Sequence, residues 1–183
     1  MTLPFSMVNL ADGMTVTEVD MDALRGNITA LNDRMNEQIV GHGWRDTSST
    51  PSTVNGQVQG ALRVDNIPVL NGQRYLAWMP QGHPTSNVTT DTWRTEIRYL
   101  TGGGAAVTTS PVVPGAQGHG VFGNPMTLAG IMPITSTGVI SVLITISRTA
   151  GTGNVQYFAD GVRRLDLLVL RLGSTVANQG IAV

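Results

Sequence analysis

Histidine is the side chain best suited to proton transfer and metal ligation near neutral pH, and this chain carries three, His42, His83 and His119, in the contexts GHG, GHP and GHG. The adjoining glycines predict loops, and no two histidines have metal-ligand spacing. One of them could hold a metal only where copies of the chain met on a symmetry axis; an exposed loop histidine is the plainer expectation. Acid–base or glycosidic chemistry needs paired carboxylates, yet Asp65, Asp91, Glu96, Asp160 and Asp166 are scattered without any pairing that the sequence can argue. The glycines at 102–104 follow RYLT with no helix start to cradle a phosphate, so they read as a hairpin tip. No GxSxG, P-loop, HExxH or GxGxxG motif is present. The sequence therefore predicts no catalytic residue, no cofactor and no metal.

Composition narrows the partners. A chain of 183 residues with 41% hydrophobic content can bury a core. Charged residues are only 13% and the net charge is −1, so no basic field is available for nucleic acid or an anionic membrane. All 11 basic residues are arginine, a bias that a GC-rich genome produces without selection on contacts. The absence of cysteine leaves packing and association as the sources of stability. No basic residue precedes Arg25, so no secretory signal is expected. The longest apolar run, VISVLITI, falls far short of the roughly 20 residues a membrane helix needs. Synthesis in a cytoplasm is expected.

The elements follow from periodicity. Residues 1–16 show little and read as an extended arm. Residues 17–41 predict one short helix, opened by the capping-box spacing of Thr15 and Glu18 and stopped by Gly41 and Gly43. Residues 42–53 are turn-rich and read as a linker, and residues 54–183 as a β-body. In TWRTEIRY, Trp93, Thr95, Ile97 and Tyr99 alternate with Arg94, Glu96 and Arg98, as in a strand with one wet side. Ile140, Val142, Ile144 and Ile146 form one face of GVISVLITISR, the clearest strand. RRLDLLVLRLG is apolar on both faces, which predicts cover on both sides. Asn71-Gly72 reads as a type I′ hairpin turn. The body is most simply an antiparallel β-sandwich or jelly roll of about seven or eight strands.

The helix must bury its stripe, since a lone helix of roughly 20 residues is marginal in water. Met21, Leu24, Ile28, Leu31 and Met35 form a narrow two-track seam with heptad spacing, flanked by polar residues. A helix lying on a sheet would show a wider stripe. The seam predicts a trimeric coiled-coil stalk, with Asp20 of one copy facing Arg25 of the next. Two and a half heptads are weak alone, so the bodies must associate too, and Leu165, Leu167 and Val169 are the candidates for that second subunit contact. Docking of the helix on its own body is the alternative.

The aromatics and glycosylation motifs point less sharply. Trp44, Trp78 and Trp93 could build a sugar-binding face, but Trp78 and Trp93 fit core positions and Trp44 the junction of helix and body. Asn27-Ile28-Thr29 and Asn87-Val88-Thr89 match the glycosylation acceptor, which has no use without secretion.

GWRDTSST, GALRVDNIPVLNGQRYLAW and RYLTGGGAAVTTSPVV, with the short helix before them, resemble small virion structural proteins of tailed bacteriophages of actinobacteria. The resemblance spans roughly residues 43–173. It implies a non-enzymatic, trimeric component on the outside of the particle, assigned among family members to head decoration, head fibre or minor tail. The expected function is a capsid decoration or head-fibre protein bound by its arm to the major capsid protein, with the β-body outward. A minor tail protein or tail-tip adhesin, joined to tail proteins and touching a host surface glycan through loops 81–92 and 102–120, is the alternative.

Overall fold

The structure, a computed structural model, describes Asp22 and residues 25–28, 38–121 and 124–174. The chain divides into two compact units, Met1–Gln38 and Ile39–Val183. In the first, residues 25–28 are helical, and Arg25 Nη1 lies 3.3 Å from Asp22 Oδ1 one turn back. The arm and Asp20, Met21, Leu24, Leu31 and Met35 lie outside the described residues. Ile28 is helical and 52% exposed within the single chain. The Asp20–Arg25 pair expected between copies lies outside the described residues, and within its own chain Arg25 meets Asp22.

The second unit is built from ten strands: β1 (Ile39–Arg45), β2 (Val58–Val69), β3 (Gln73–Gly82), β4 (Pro84–Ser86), β5 (Thr92–Thr101), β6 (Val112–Val121), β7 (Met126–Met132), β8 (Gly138–Ala150), β9 (Val155–Tyr157) and β10 (Leu165–Ser174). Two four-stranded antiparallel sheets, ordered β1-β10-β3-β7 and β2-β8-β5-β6, form a sandwich, with β4 and β9 paired beside them. The alternation written in the sequence selects what lies between the sheets. Trp93 and Ile97 from β5, Ile140, Val142, Ile144 and Ile146 from β8, and Tyr75, Ala77 and Met79 from β3 are all buried there.

Three expectations need correction. The first concerns the boundaries: Ile39–Arg45 is a strand, so the helical stalk does not run to residue 41 and the body does not begin at 54. Gly41 and Gly43 are strand residues required by close approach to β2. A β-carbon on Gly41 would stand 2.9 Å from Ile67 Cγ1, and one on Gly43 would stand 2.5 Å from Val64 Cγ2. Nor is 42–53 a linker, because Ser49 N donates to Tyr157 O at 2.9 Å and Ser52 N to Val155 O at 2.7 Å.

The second concerns Asn71-Gly72. Its flanking strands belong to different sheets, so the turn carries the chain across the sandwich instead of closing a hairpin. Gly72 has φ +75° while Asn71 keeps an ordinary negative φ, as a type II turn requires and a type I′ turn forbids.

The third concerns Leu165, Leu167 and Val169, proposed above as a subunit contact. All three are fully buried inside their own chain, facing the opposite sheet, and no surface of them is left for a neighbour. The strand is apolar on both sides, and it is the other side, Leu168, Leu170 and Leu172, that points away from the core.

Candidate functional surface

The residues singled out for chemistry are dispersed by the fold. His42 lies on β1 with Nε2 3.2 Å from Asp166 Oδ1, His83 stands between β3 and β4, and His119 lies on β6. Among the described residues no group of three or more His, Asp or Glu side chains could hold a metal ion.

Each carboxylate is engaged separately. Asp65 meets Arg63 Nε at 3.0 Å, and Asp160 meets Arg163 Nη2 at 2.9 Å. The backbone amides of Arg163 and Val162 hold the Asp160 carboxyl below the ordinary range. Glu96 is nearly buried on the outward side of β5, where Arg98 Nη2 bonds to Oε2, Arg94 Nε lies 3.2 Å from Oε1, and Gln117 Nε2 donates to Oε1 at 3.1 Å. The Arg94 contact is an ion pair out of line for a hydrogen bond.

Asp91 has the most elaborate surroundings. Its side chain is shut off from solvent and accepts hydrogen bonds from Ser86 Oγ at 2.5 Å, Thr152 N at 2.9 Å and Gly153 N at 3.2 Å. Burial alone would raise its pKa, but these donors and the nearby Arg148 charge outweigh it and hold the carboxyl below its ordinary value. Arg148 is itself buried, donating through Nε to Asn55 Oδ1 at 2.8 Å and through Nη1 to Gly153 O. A buried carboxylate and a buried guanidinium thus clamp the 151–154 loop to the end of β8, a structural use of charge. Sequence spacing could not reveal it, because Thr152 and Gly153 lie more than 60 residues from Asp91.

The remaining candidate is a surface. Along the sheet β1-β10-β3-β7 the register aligns His42, Leu168, Trp78 and Ala129 in one row across the strands. The next row is Ile39, Leu170, Leu76 and Ile131. Alternation turns all of these away from the core. Leu76, Trp78, Leu168 and Leu170 are half-buried at the centre, while Ile39, Ile131 and Leu172 are exposed around them. Trp44, opposite Asp166, is 49% exposed, with the Arg164 guanidinium 4.7 Å from its ring centroid. Of the three tryptophans only Trp93 joins the core; Trp78 and Trp44 lie on this outer side. An apolar face with a stacked cation at its rim can bind a surface of matching shape. No helix among the described residues is long and apolar enough to cross a membrane.

No family model matches the chain. No curated protein matches it. Similar solved structures include the N-terminal endo-1,4-beta-D-xylanase of Clostridium thermocellum in complex with xylohexaose, at 16% identity and TM-score 0.39, covering 79% of this chain and 28% of that one. The Eiger TNF of S. frugiperda is 10% identical at TM-score 0.35, covering 74% of this chain and 98% of that one. An arabinose-bound α-L-arabinofuranosidase is 14% identical at TM-score 0.35, covering 66% of this chain and 18% of that one. Similarity at these TM-scores carries no argument about function.

Proposed function

We propose that the chain is a non-enzymatic structural protein of a tailed-bacteriophage virion: a capsid decoration or head-fibre protein, attached by its N-terminal region, with the β-sandwich displayed outward. In this reading three copies join through the stripe at Met21, Leu24, Ile28, Leu31 and Met35, and the trimer gains by multivalency once one arm has bound the major capsid protein. The observation that carries it is the order along the chain. A stripe-bearing segment ends at Gln38, and a sandwich with its own core begins at Ile39. The half-exposed Ile28 supports it, since an apolar helical side chain left open in one copy is available to another. One specific observation favours the alternative, a minor tail protein or tail-tip adhesin: Trp44 beneath Arg164 is an exposed aromatic–cation pair of the kind that can meet a host glycan.

Purified full-length protein should be incubated with isolated heads, isolated tails and host cells of the phage that encodes it, then sedimented. Recovery with heads is expected. Recovery only with tails or cells transfers the assignment to the alternative, and recovery with none of them sinks both.

A further inference from the structure

The apolar outer face of the β1-β10-β3-β7 sheet has no occupant within the described chain. We infer that it is where copies of this chain meet, each sandwich covering its Leu76, Trp78, Leu168 and Leu170 against a neighbouring sandwich. The inference rests on the self-associating reading above and deepens it by assigning the body's contact surface.

The opposite sheet supplies the internal comparison. Its outward side carries Arg94, Glu96, Arg98, Ser141, Thr145 and Ser147 with a single leucine, Leu143, and along β8 this chain covers it, since Ser141, Leu143, Thr145 and Ser147 are all buried. The same chain leaves leucine at 168, 170 and 172 on the other outward side, with isoleucine at 39 and 131 on the edge strands. Size agrees with a protein partner. Four strands about 4.8 Å apart and about seven residues long make a face of roughly 20 by 23 Å before side-chain relief. That is within a factor of about two of the roughly 800 Å² that each partner contributes to a standard interface.

Charge does not oppose self-contact. His42 and Asp166 satisfy each other on the face. Connectivity argues for a copy over a foreign protein. β1 begins at Ile39, directly after the stripe-bearing unit, and Ile39 is itself on the face. Copies tied through the stripe would hold their sandwiches at high effective concentration.

The chain has no cysteine, so one introduced thiol reports only its own surroundings. Ala129→Cys places it on the face, and Val162→Cys, at a position 92% exposed in the β9–β10 loop, serves as the control. In the assembled full-length protein Ala129→Cys should react with DTNB at least about tenfold more slowly than Val162→Cys, and equally fast after dilution to monomer. Equal rates in an assembled protein overturn the inference. So does protection in a monomer, which would assign the face to the chain's own terminal segments. Ile131→Glu, at an exposed position, should lower the solution mass with the β-type circular dichroism unchanged; an unchanged mass contradicts the inference. Failure of the earlier reading looks different. Loss of particle binding with Ala129→Cys still protected leaves this interface standing and sinks the virion assignment.

Discussion

Gly151 runs so close to Asp91 that a β-carbon built on the glycine would stand 1.9 Å from the carboxylate Oδ1, at a backbone φ of +101°. Both facts demand glycine: the left-handed conformation disfavours any side chain, and the space is already filled by a group that must keep its hydrogen bonds. Gly151→Ala should destabilise the sandwich by at least about 3 kcal/mol in chemical denaturation. A change under about 0.5 kcal/mol would mean that the clamp contributes little.

The same clamp predicts an acid response. The folded-state pKa of Asp91 lies below the ordinary 3.8, so its contribution is fully present above that value and is lost as pH falls through the lower folded value. Denaturation midpoints measured from neutral pH downward should fall in that acid window for the wild type. The difference between wild type and Asp91→Asn should shrink over the same range; a constant difference would remove the carboxylate charge from the account.

Much of the sandwich was legible because its best strands place large apolar side chains at every second position. Trp93/Ile97 and Ile140/Val142/Ile144/Ile146 announce their inward side by period two, and they form the core. β1 was not legible: two of its seven residues are glycines, and only the position of Ile67 and Val64 on another strand explains them. In β10 both sides are leucine-rich, so periodicity could locate the strand but not say which side faces inward. Asn71-Gly72 specifies a tight turn without specifying whether the next strand stays in the sheet. Among the residues considered for chemistry, the pairing of His42 with Asp166 and the enclosure of Asp91 are long-range, 124 residues apart in the first case, and leave no local signal.

Gly43 and Val64 test the sheet-to-sheet approach at the β1 edge. Gly43→Ala would press a methyl group into Val64 Cγ2 and should cost about 1 to 3 kcal/mol. Val64→Ala should recover most of that loss in the double variant, giving a coupling energy of about 1 kcal/mol or more in a double-mutant cycle. Strict additivity would show that the two residues do not meet.

Tyr157 tests the polar group inside the core. Thr95 Oγ1 donates to Thr145 O at 2.7 Å and accepts from the Tyr157 hydroxyl, so Tyr157→Phe leaves an acceptor empty and should cost about 1 kcal/mol. Burial pushes the phenol well above its ordinary 10.0. The unfolded chain ionises near 10 while the folded chain does not, so stability is full below that pH and declines above it. Thermal denaturation between neutral and alkaline pH should show a shallower decline for Tyr157→Phe, and parallel curves would contradict the assignment.

The solution mass of the purified full-length protein at micromolar concentration, by sedimentation equilibrium, reaches the centre of the account. Three times 19.3 kDa is the predicted value. Paired charge substitutions at Leu24 and Leu31 should lower it while the β-type circular dichroism persists. A single 19.3 kDa species in the wild type would contradict the self-associating reading outright.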